Sequence, residues 1–241
     1  MSVHWHSYPT AQEASEACAT HIAMRLEDAL SGEGDATLAV SGGETPRRMF
    51  EALARSQLDW SRVHIFWVDE RAVPPTSPLS NYRMVEESLI RPARIPRRNV
   101  HRIAGELHPE TAAQRYVQDI QEFFGLTEGE VPHFDVIHRG LGVDGHTASL
   151  FPGDPLTEDH ERIAAAVYVE KLGQHRITLL PSVFLAARHT VFLVTGAEKA
   201  PAVRAVFHEP YNPKLYPGQT VSHHGRNVVW FLDDAAASLM D

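Results

Sequence analysis

His146 directly follows Asp144-Gly145 and stands among small residues, Gly140, Gly142, Gly145 and Ala148. Histidine titrates near neutrality and is the usual general base, so this one, close after a carboxylate, is equipped to take a proton from a water. A second group is Ser41-Gly42-Gly43-Glu44-Thr45-Pro46. Its glycines allow close backbone approach, and a helix opening at Pro46 offers unpaired N–H groups and a partial positive charge, which suits a phosphate. The same turn also serves as a tight strand-to-helix connection with no ligand, and shape alone leaves both open. The third group is Asp69-Glu70-Arg71, with Arg83, Lys171 and Arg176 as further cations. Arginine forks match phosphate and developing oxyanions, and Arg71, at a strand end, is the best placed.

Other chemistries find no support. There is no H-E-x-x-H, no zinc-type cysteine spacing and no calcium loop, so no metal is expected. Ser41 follows a strand, but residue 39 is Ala, so the G-x-S-x-G nucleophile elbow is missing and a hydrolase here would use water. Gly140 to Gly145 formally matches the dinucleotide fingerprint, yet Pro152 and Gly153 cut short the long helix that the fingerprint should open. Of the 15 histidines, the His4/His6 and His223/His224 pairs read as surface residues.

The elements that must position these groups alternate along the chain. Thr10 to Glu13 is a capping box, and Ala14, Cys18, Ile22, Leu26 and Leu30 follow on one helical stripe that Gly32 and Gly34 end. Ala36 to Val40 is a short apolar strand; after it Thr45 is placed to cap, and Pro46 to open, a helix carrying Met49, Phe50 and Leu53. Val63 to Val68 is a buried strand that stops at Asp69. Ser80-Asn81 begins a helix that ends before Pro92, and another runs from about Glu110 to Phe124 with Gly125 as its stop. Phe134 to Ile137 is a strand emptying into the Gly140 to His146 turn, and further strands are expected at 165–169, 176–180, 190–195 and 228–232. Such alternation predicts an α/β fold, a mostly parallel sheet covered on both faces. Ligands bind such sheets at the carboxyl ends of the strands, where all three groups fall.

The whole chain bounds the reading. It has 241 residues, 43% hydrophobic and 22% charged, the make-up of an ordinary globular protein read here as one domain over residues 1–241. Lys plus Arg is 22 against 31 Asp plus Glu, a net charge of -9 that repels polyanions, so no nucleic-acid partner is expected. Cys18 is the single cysteine, which excludes an intrachain disulfide. The segment Met1 to Thr10 lacks the basic and apolar stretches of a signal peptide, and no apolar run approaches the roughly 18 residues that cross a bilayer. A cytoplasmic protein without a membrane partner is expected.

Taken in order, Ser41-Gly42-Gly43-x-Thr45-Pro46, Asp69-Glu70-Arg71-x-Val73-Pro74, Ser80-Asn81 and Gly140-x-Gly142-x-Asp144-Gly145-His146-Thr147-Ala148-Ser149-Leu150-Phe151-Pro152 resemble the 6-phosphogluconolactonase family. Arg176-Ile177-Thr178-Leu179, Val194-Thr195-Gly196 and Lys199-Ala200 are also similar to it, so the likeness covers nearly the whole chain. The resemblance implies a Rossmann-like three-layer α/β/α sandwich of the glucosamine-6-phosphate deaminase/ribose-5-phosphate isomerase type. It implies hydrolysis of 6-phosphogluconolactone to 6-phosphogluconate in the oxidative pentose phosphate pathway, without a cofactor and by a monomer. His146 would be the base, Arg71 would steady the carbonyl oxygen or hold the phosphate, and Asp69 and Asp144 would orient the site. The 6-phosphate would sit on the Ser41, Gly42, Gly43 and Thr45 turn with Lys171 and Arg176, Arg83 contributing, and Gly142 and Gly145 would also bind the substrate.

Three stretches depart from the family pattern: His138-Arg139 where an apolar run is usual, Glu44 within the glycine turn, and Lys171 to His175 without prolines. Two other readings use the same groups. An amino-sugar phosphate deaminase or isomerase is disfavoured by Thr147-Ala148-Ser149-Leu150-Phe151-Pro152 after His146, where deaminases carry Asn-Glu-Pro. A non-catalytic sugar-phosphate sensor would be stabilised by ligand without turnover.

Overall fold

The computed structural model describes residues 4–240. Its strands are β1 (His4–Tyr8), β2 (Ala36–Val40), β3 (Val63–Trp67), β4 (Asp69–Arg71), β5 (Val100–His101), β6 (Val136–Arg139), β7 (Ala164–Val169), β8 (Gln174–Leu179), β9 (His189–Val194) and β10 (Val228–Asp233). The α-helices are α1 (Ala11–Leu30), α2 (Thr45–Leu53), α3 (Asn81–Val85), α4 (Pro109–Phe124), α5 (Pro181–Ala186), α6 (Ala200–His208), α7 (Gly218–His224) and α8 (Asp234–Ala237).

Local signals set the element ends. Thr10 Oγ1 accepts from the N–H of Glu13 at 3.2 Å and caps α1, whose Ala14, Cys18, Ile22 and Leu26 are buried as their spacing predicts. Ser80 caps α3 by accepting from the N–H of Arg83, and α3 continues as a π-helical turn over Glu86–Ile90. Gly125 ends α4 with φ at 64°, a left-handed conformation that glycine adopts without strain.

Seven strands form one parallel sheet in the order β1-β10-β9-β6-β2-β3-β5. The chain builds outward from β2 to β3 and β5, then crosses back to β6 on the other side of β2 and builds through β9 to β10. That reversal opens a crevice beyond the carboxyl ends of β2 and β6, the usual ligand position in such sheets. Helices cover both faces. On β6, His138 meets Phe50 of α2 while its neighbour Arg139 meets Phe184 of α5, so alternate residues of one strand face opposite helical layers.

The strands expected at 165–169 and 176–180 lie outside the parallel sheet. They are β7 and β8, an antiparallel hairpin that pairs with β4 in the order β4-β8-β7. Only residues 170–173 join β7 to β8, and a parallel crossover needs a dozen or more. The short sheet has a consequence for the site, because its register puts Asp69 opposite Thr178 and Arg71 opposite Arg176.

Candidate active site

Three turns and the edge of the small sheet meet at the crevice. The first turn, Ser41 to Glu44, leaves β2 and enters α2. Gly43 has φ at 114°, and a Cβ at Gly42 would lie 1.9 Å from Asn81 Oδ1, so both positions require glycine. Pro46 occupies the first turn of α2 as expected, but Thr45 does not cap it. The helix begins one residue earlier than that reading needs, so Glu44 holds the capping position and makes no side-chain capping bond.

Asn81 is fixed by Glu70. The buried Glu70 carboxylate accepts from the N–H groups of Arg71, Asn81 and Tyr82 at 2.7–2.8 Å and from Ser80 Oγ at 3.0 Å. Burial raises its pKa, and these four bonds oppose the rise. Asp69 beside it accepts from Ser149 Oγ at 2.7 Å, while its backbone carbonyl accepts from Asn81 Nδ2 at 2.8 Å. Arg176 Nη1 lies 3.7 Å from the Asp69 carboxylate.

The third turn carries the histidine. The Gly142 N–H donates to the His146 carbonyl at 2.7 Å, the Gly145 N–H to the Gly142 carbonyl at 3.0 Å, and Gly145 takes φ at 84°. These bonds fold His146 back towards Asp144, and Nδ1 lies 2.5 Å from Asp144 Oδ1. Lys171 Nζ bonds the other Asp144 oxygen and sits over the Phe151 ring, on which the His146 ring is stacked at 4.3 Å. Burial alone would raise the Asp144 carboxyl, but the bonds from His146 and Lys171 outweigh it and hold the pKa well below the carboxylate range.

These parts enclose a cavity of about 380 Å³. Ser41, Gly42, Gly43 and Thr45 line it from the first turn, Asp69 and Arg71 from β4, Gly142 and His146 from the third turn, and Arg176 from β8. Asp144, Gly145 and Lys171 stand behind His146 instead of on the wall. Arg83, expected near a phosphate, lies outside the lining; its guanidinium donates to Glu87 at 2.8 Å and to the Thr76 carbonyl at 2.9 Å. Arg71 donates to the Leu79 carbonyl at 2.5 Å, and the Nε of both Arg71 and Arg176 is without a partner among the described residues. Burial lowers the Arg176 pKa; Asp69 opposes this and the nearby positive charge of Arg71 adds to it.

Sequence reasoning gave no role to Asn81, Thr195 or Lys199, which also line the cavity, and marked His138 as a departure from the family pattern where substrate preference could change. Thr195 and Lys199 follow the carboxyl end of β9, so the strand-end rule that found the other turns reaches them too. No group of three or more His, Cys, Asp or Glu side chains among the described residues is arranged to hold a metal. No described helix is long and apolar enough to cross a membrane.

A family model described as glucosamine-6-phosphate isomerases/6-phosphogluconolactonase matches residues 9–230. The chain belongs to this family. Among curated members, a 6-phosphogluconolactonase of Synechocystis sp. is 38% identical over 89% of both chains. One of Haemophilus influenzae is 33% identical over 97% of this chain and 98% of its own. Among solved members, the 6-phosphogluconolactonase of Shewanella baltica superposes with a TM-score of 0.87 at 28% identity, covering 96% of this chain and 98% of that one. A monomeric glucosamine-6-phosphate deaminase, 19% identical with a TM-score of 0.82, shares the fold, the three-layer α/β architecture with a mostly parallel sheet.

Proposed function

We propose that this chain hydrolyses 6-phosphogluconolactone to 6-phosphogluconate, the ring-opening step of the oxidative pentose phosphate pathway, with His146 activating the attacking water. The observation that carries this reading is that His146, paired with Asp144 behind it, and the glycine turn before α2 face one cavity, with Arg71 and Arg176 on its wall. The family membership supports it, since the curated relatives bear the lactonase name over nearly their full length.

With Nδ1 engaged by Asp144, Nε2 is the nitrogen left to take a proton from water. Water attacks the lactone carbonyl, and its proton passes to Nε2. Charge that develops on the carbonyl oxygen is met by the Arg71 guanidinium, with Arg176 beside it. The ring oxygen then leaves with the proton that His146 returns. No covalent enzyme nucleophile is required, because the strained ester already hydrolyses in water. The substrate's 6-phosphate docks on the Ser41 to Thr45 turn, where the start of α2, uncapped by any side chain, presents its N–H groups.

The reading also places the chain in the cytoplasm as a single domain acting as a monomer, which light scattering on the purified protein tests. The decisive experiment forms fresh lactone in situ from glucose-6-phosphate and compares its hydrolysis with the spontaneous rate. Acceleration by the protein that is lost in His146→Ala is expected. A rate equal to the spontaneous one would overturn the proposal.

A further inference from the structure

His138 is the third residue of β6, one of the strands beside the crevice, and it is among the residues that line the cavity while only 1% of it is exposed. One edge of its ring packs on Phe50, centroids 5.6 Å apart, so packing fixes the imidazole in place. Neither ring nitrogen has a hydrogen-bond partner among the described residues. Burial pulls its pKa down to about 3, so at neutral pH it is an uncharged imidazole with one donor and one acceptor. An unpaired polar group inside a protein is costly, and a leucine-sized apolar side chain would fill this position without that cost.

Two further uncharged side chains on the same cavity wall share this condition, beside the cationic Arg71 and Arg176, whose Nε atoms are likewise unpartnered among the described residues. Ser41 Oγ and Asn81 Oδ1 also lack partners among the described residues. Arg139 does not belong to this group, because its guanidinium faces the other layer and packs 3.7 Å from the Phe184 ring centroid. Beside its two guanidinium groups, the wall thus holds a neutral ring that both gives and accepts, a hydroxyl that does the same, and an amide oxygen that accepts. A phosphate oxygen only accepts and favours cationic or N–H donors, whereas a sugar hydroxyl both gives and accepts and matches this set.

We propose that His138 is a specificity-determining residue that hydrogen-bonds a hydroxyl group of the bound sugar phosphate from the wall of the cavity. The inference rests on the sugar-phosphate reading given above and adds to it the part of the substrate that this residue senses. Asn81 Oδ1 extends the same hydroxyl-reading wall, while Ser41 Oγ stands where it meets the phosphate turn.

The test uses the full chain with His138→Leu and His138→Gln, titrated with 6-phosphogluconate and, separately, with inorganic phosphate. Losing one neutral hydrogen bond weakens binding by about 3- to 10-fold. That loss is expected for 6-phosphogluconate with His138→Leu, smaller for His138→Gln, and absent for inorganic phosphate, which carries no sugar hydroxyl. For the lactone the change falls in KM and not in kcat. Meanwhile His138→Leu is expected to melt at the same or a higher temperature at neutral pH, since it removes two unpaired nitrogens, so weaker binding cannot be ascribed to unfolding. If His138→Leu does not fold, the His138→Gln titrations decide alone.

Equal affinity for 6-phosphogluconate in wild type and variant, or an equal loss for inorganic phosphate, would overturn the assignment of His138. Absence of lactone turnover by the wild type would instead overturn the reading beneath it, with the 6-phosphogluconate ratio still deciding the role of His138. A wild type that neither turns over the lactone nor binds 6-phosphogluconate would overturn both.

Discussion

His146 Nδ1 lies 2.5 Å from Asp144 Oδ1, and the second oxygen of the same carboxylate is bonded by Lys171 Nζ. One carboxylate is therefore shared between an imidazole and a cation, and its position fixes the tautomer in which His146 presents Nε2. The arrangement predicts an ordered pair of effects. His146→Ala removes the base and lowers kcat by about 10²- to 10⁴-fold, with KM changed little. Asp144→Asn keeps the ring but removes the charge and leaves one acceptor oxygen for both His146 and Lys171, and lowers kcat by at least about 10-fold. Steady-state kinetics on fresh lactone checks both; wild-type kcat in either variant removes that residue from the chemistry.

Gly142 packs against this pair. A Cβ there would fall 1.9 Å from His146 Nδ1 and 2.8 Å from Asp144 Oδ1, so the imidazole must move for any larger residue. Gly142→Ala is expected to lower kcat by at least about 10-fold through displacement of the base, because small misplacements of a catalytic group are costly. The melting temperature should shift by only a few degrees, roughly, since the turn lies at the surface of the crevice and outside the core. A variant with unchanged kcat would show that the His146 ring is not held where Gly142 permits it.

The arginines separate by their surroundings. Arg71 lines the cavity with an unpartnered Nε, whereas the Arg83 guanidinium is committed to Glu87 and to the Thr76 carbonyl outside it. Arg71→Ala should lower kcat/KM by about 10²-fold, the scale of a lost oxyanion donor. Arg83→Ala should leave kcat/KM within about twofold, its half-exposed ion pair contributing little. The reverse ranking would place the substrate on the other side of Leu79.

Much of this was readable from residue patterns because it depends on local physics. The Thr10 cap, the Gly125 stop and the run from Ala36 to Val40 into the glycine turn each follow from neighbours in sequence. The three turns could be assigned to one place because they all follow strand ends. The small antiparallel sheet was not readable in that way. Arg71 and Arg176 are brought opposite each other by pairing between segments a hundred residues apart, and β4 is too short to show a period. Arg83 illustrates the same limit in part, since its ion pair with Glu87, four residues on, follows from local spacing, whereas its bond to the Thr76 carbonyl depends on the fold. His138 and Arg139 interrupt an otherwise apolar strand, and only the fold shows that one faces the cavity and the other the α5 layer.

The buried imidazole of His138 also makes stability depend on pH. Its pKa in the fold is about 3, below the roughly 6.5 of an unfolded chain, so between these values the unfolded state binds the extra proton. Stability is therefore full above about pH 7 and falls as the pH drops through 6.5. Over the interval from about pH 7.5 to pH 5 this one group accounts for about 2 kcal/mol. His21, lowered to about 4 by burial and by Arg25, His189 and His6, acts in the same direction, and so do His64 and His189, each lowered first by burial. Asp144 does not contribute in this interval. Its carboxyl is depressed, so its stabilising effect is present above about pH 4 and is lost only below it. Urea unfolding at pH 7.5 and pH 5 should thus show a smaller loss for His138→Leu than for wild type, the difference being about 2 kcal/mol. Equal losses in the two proteins would mean that the His138 ring gains its proton in the folded state as readily as in the unfolded one.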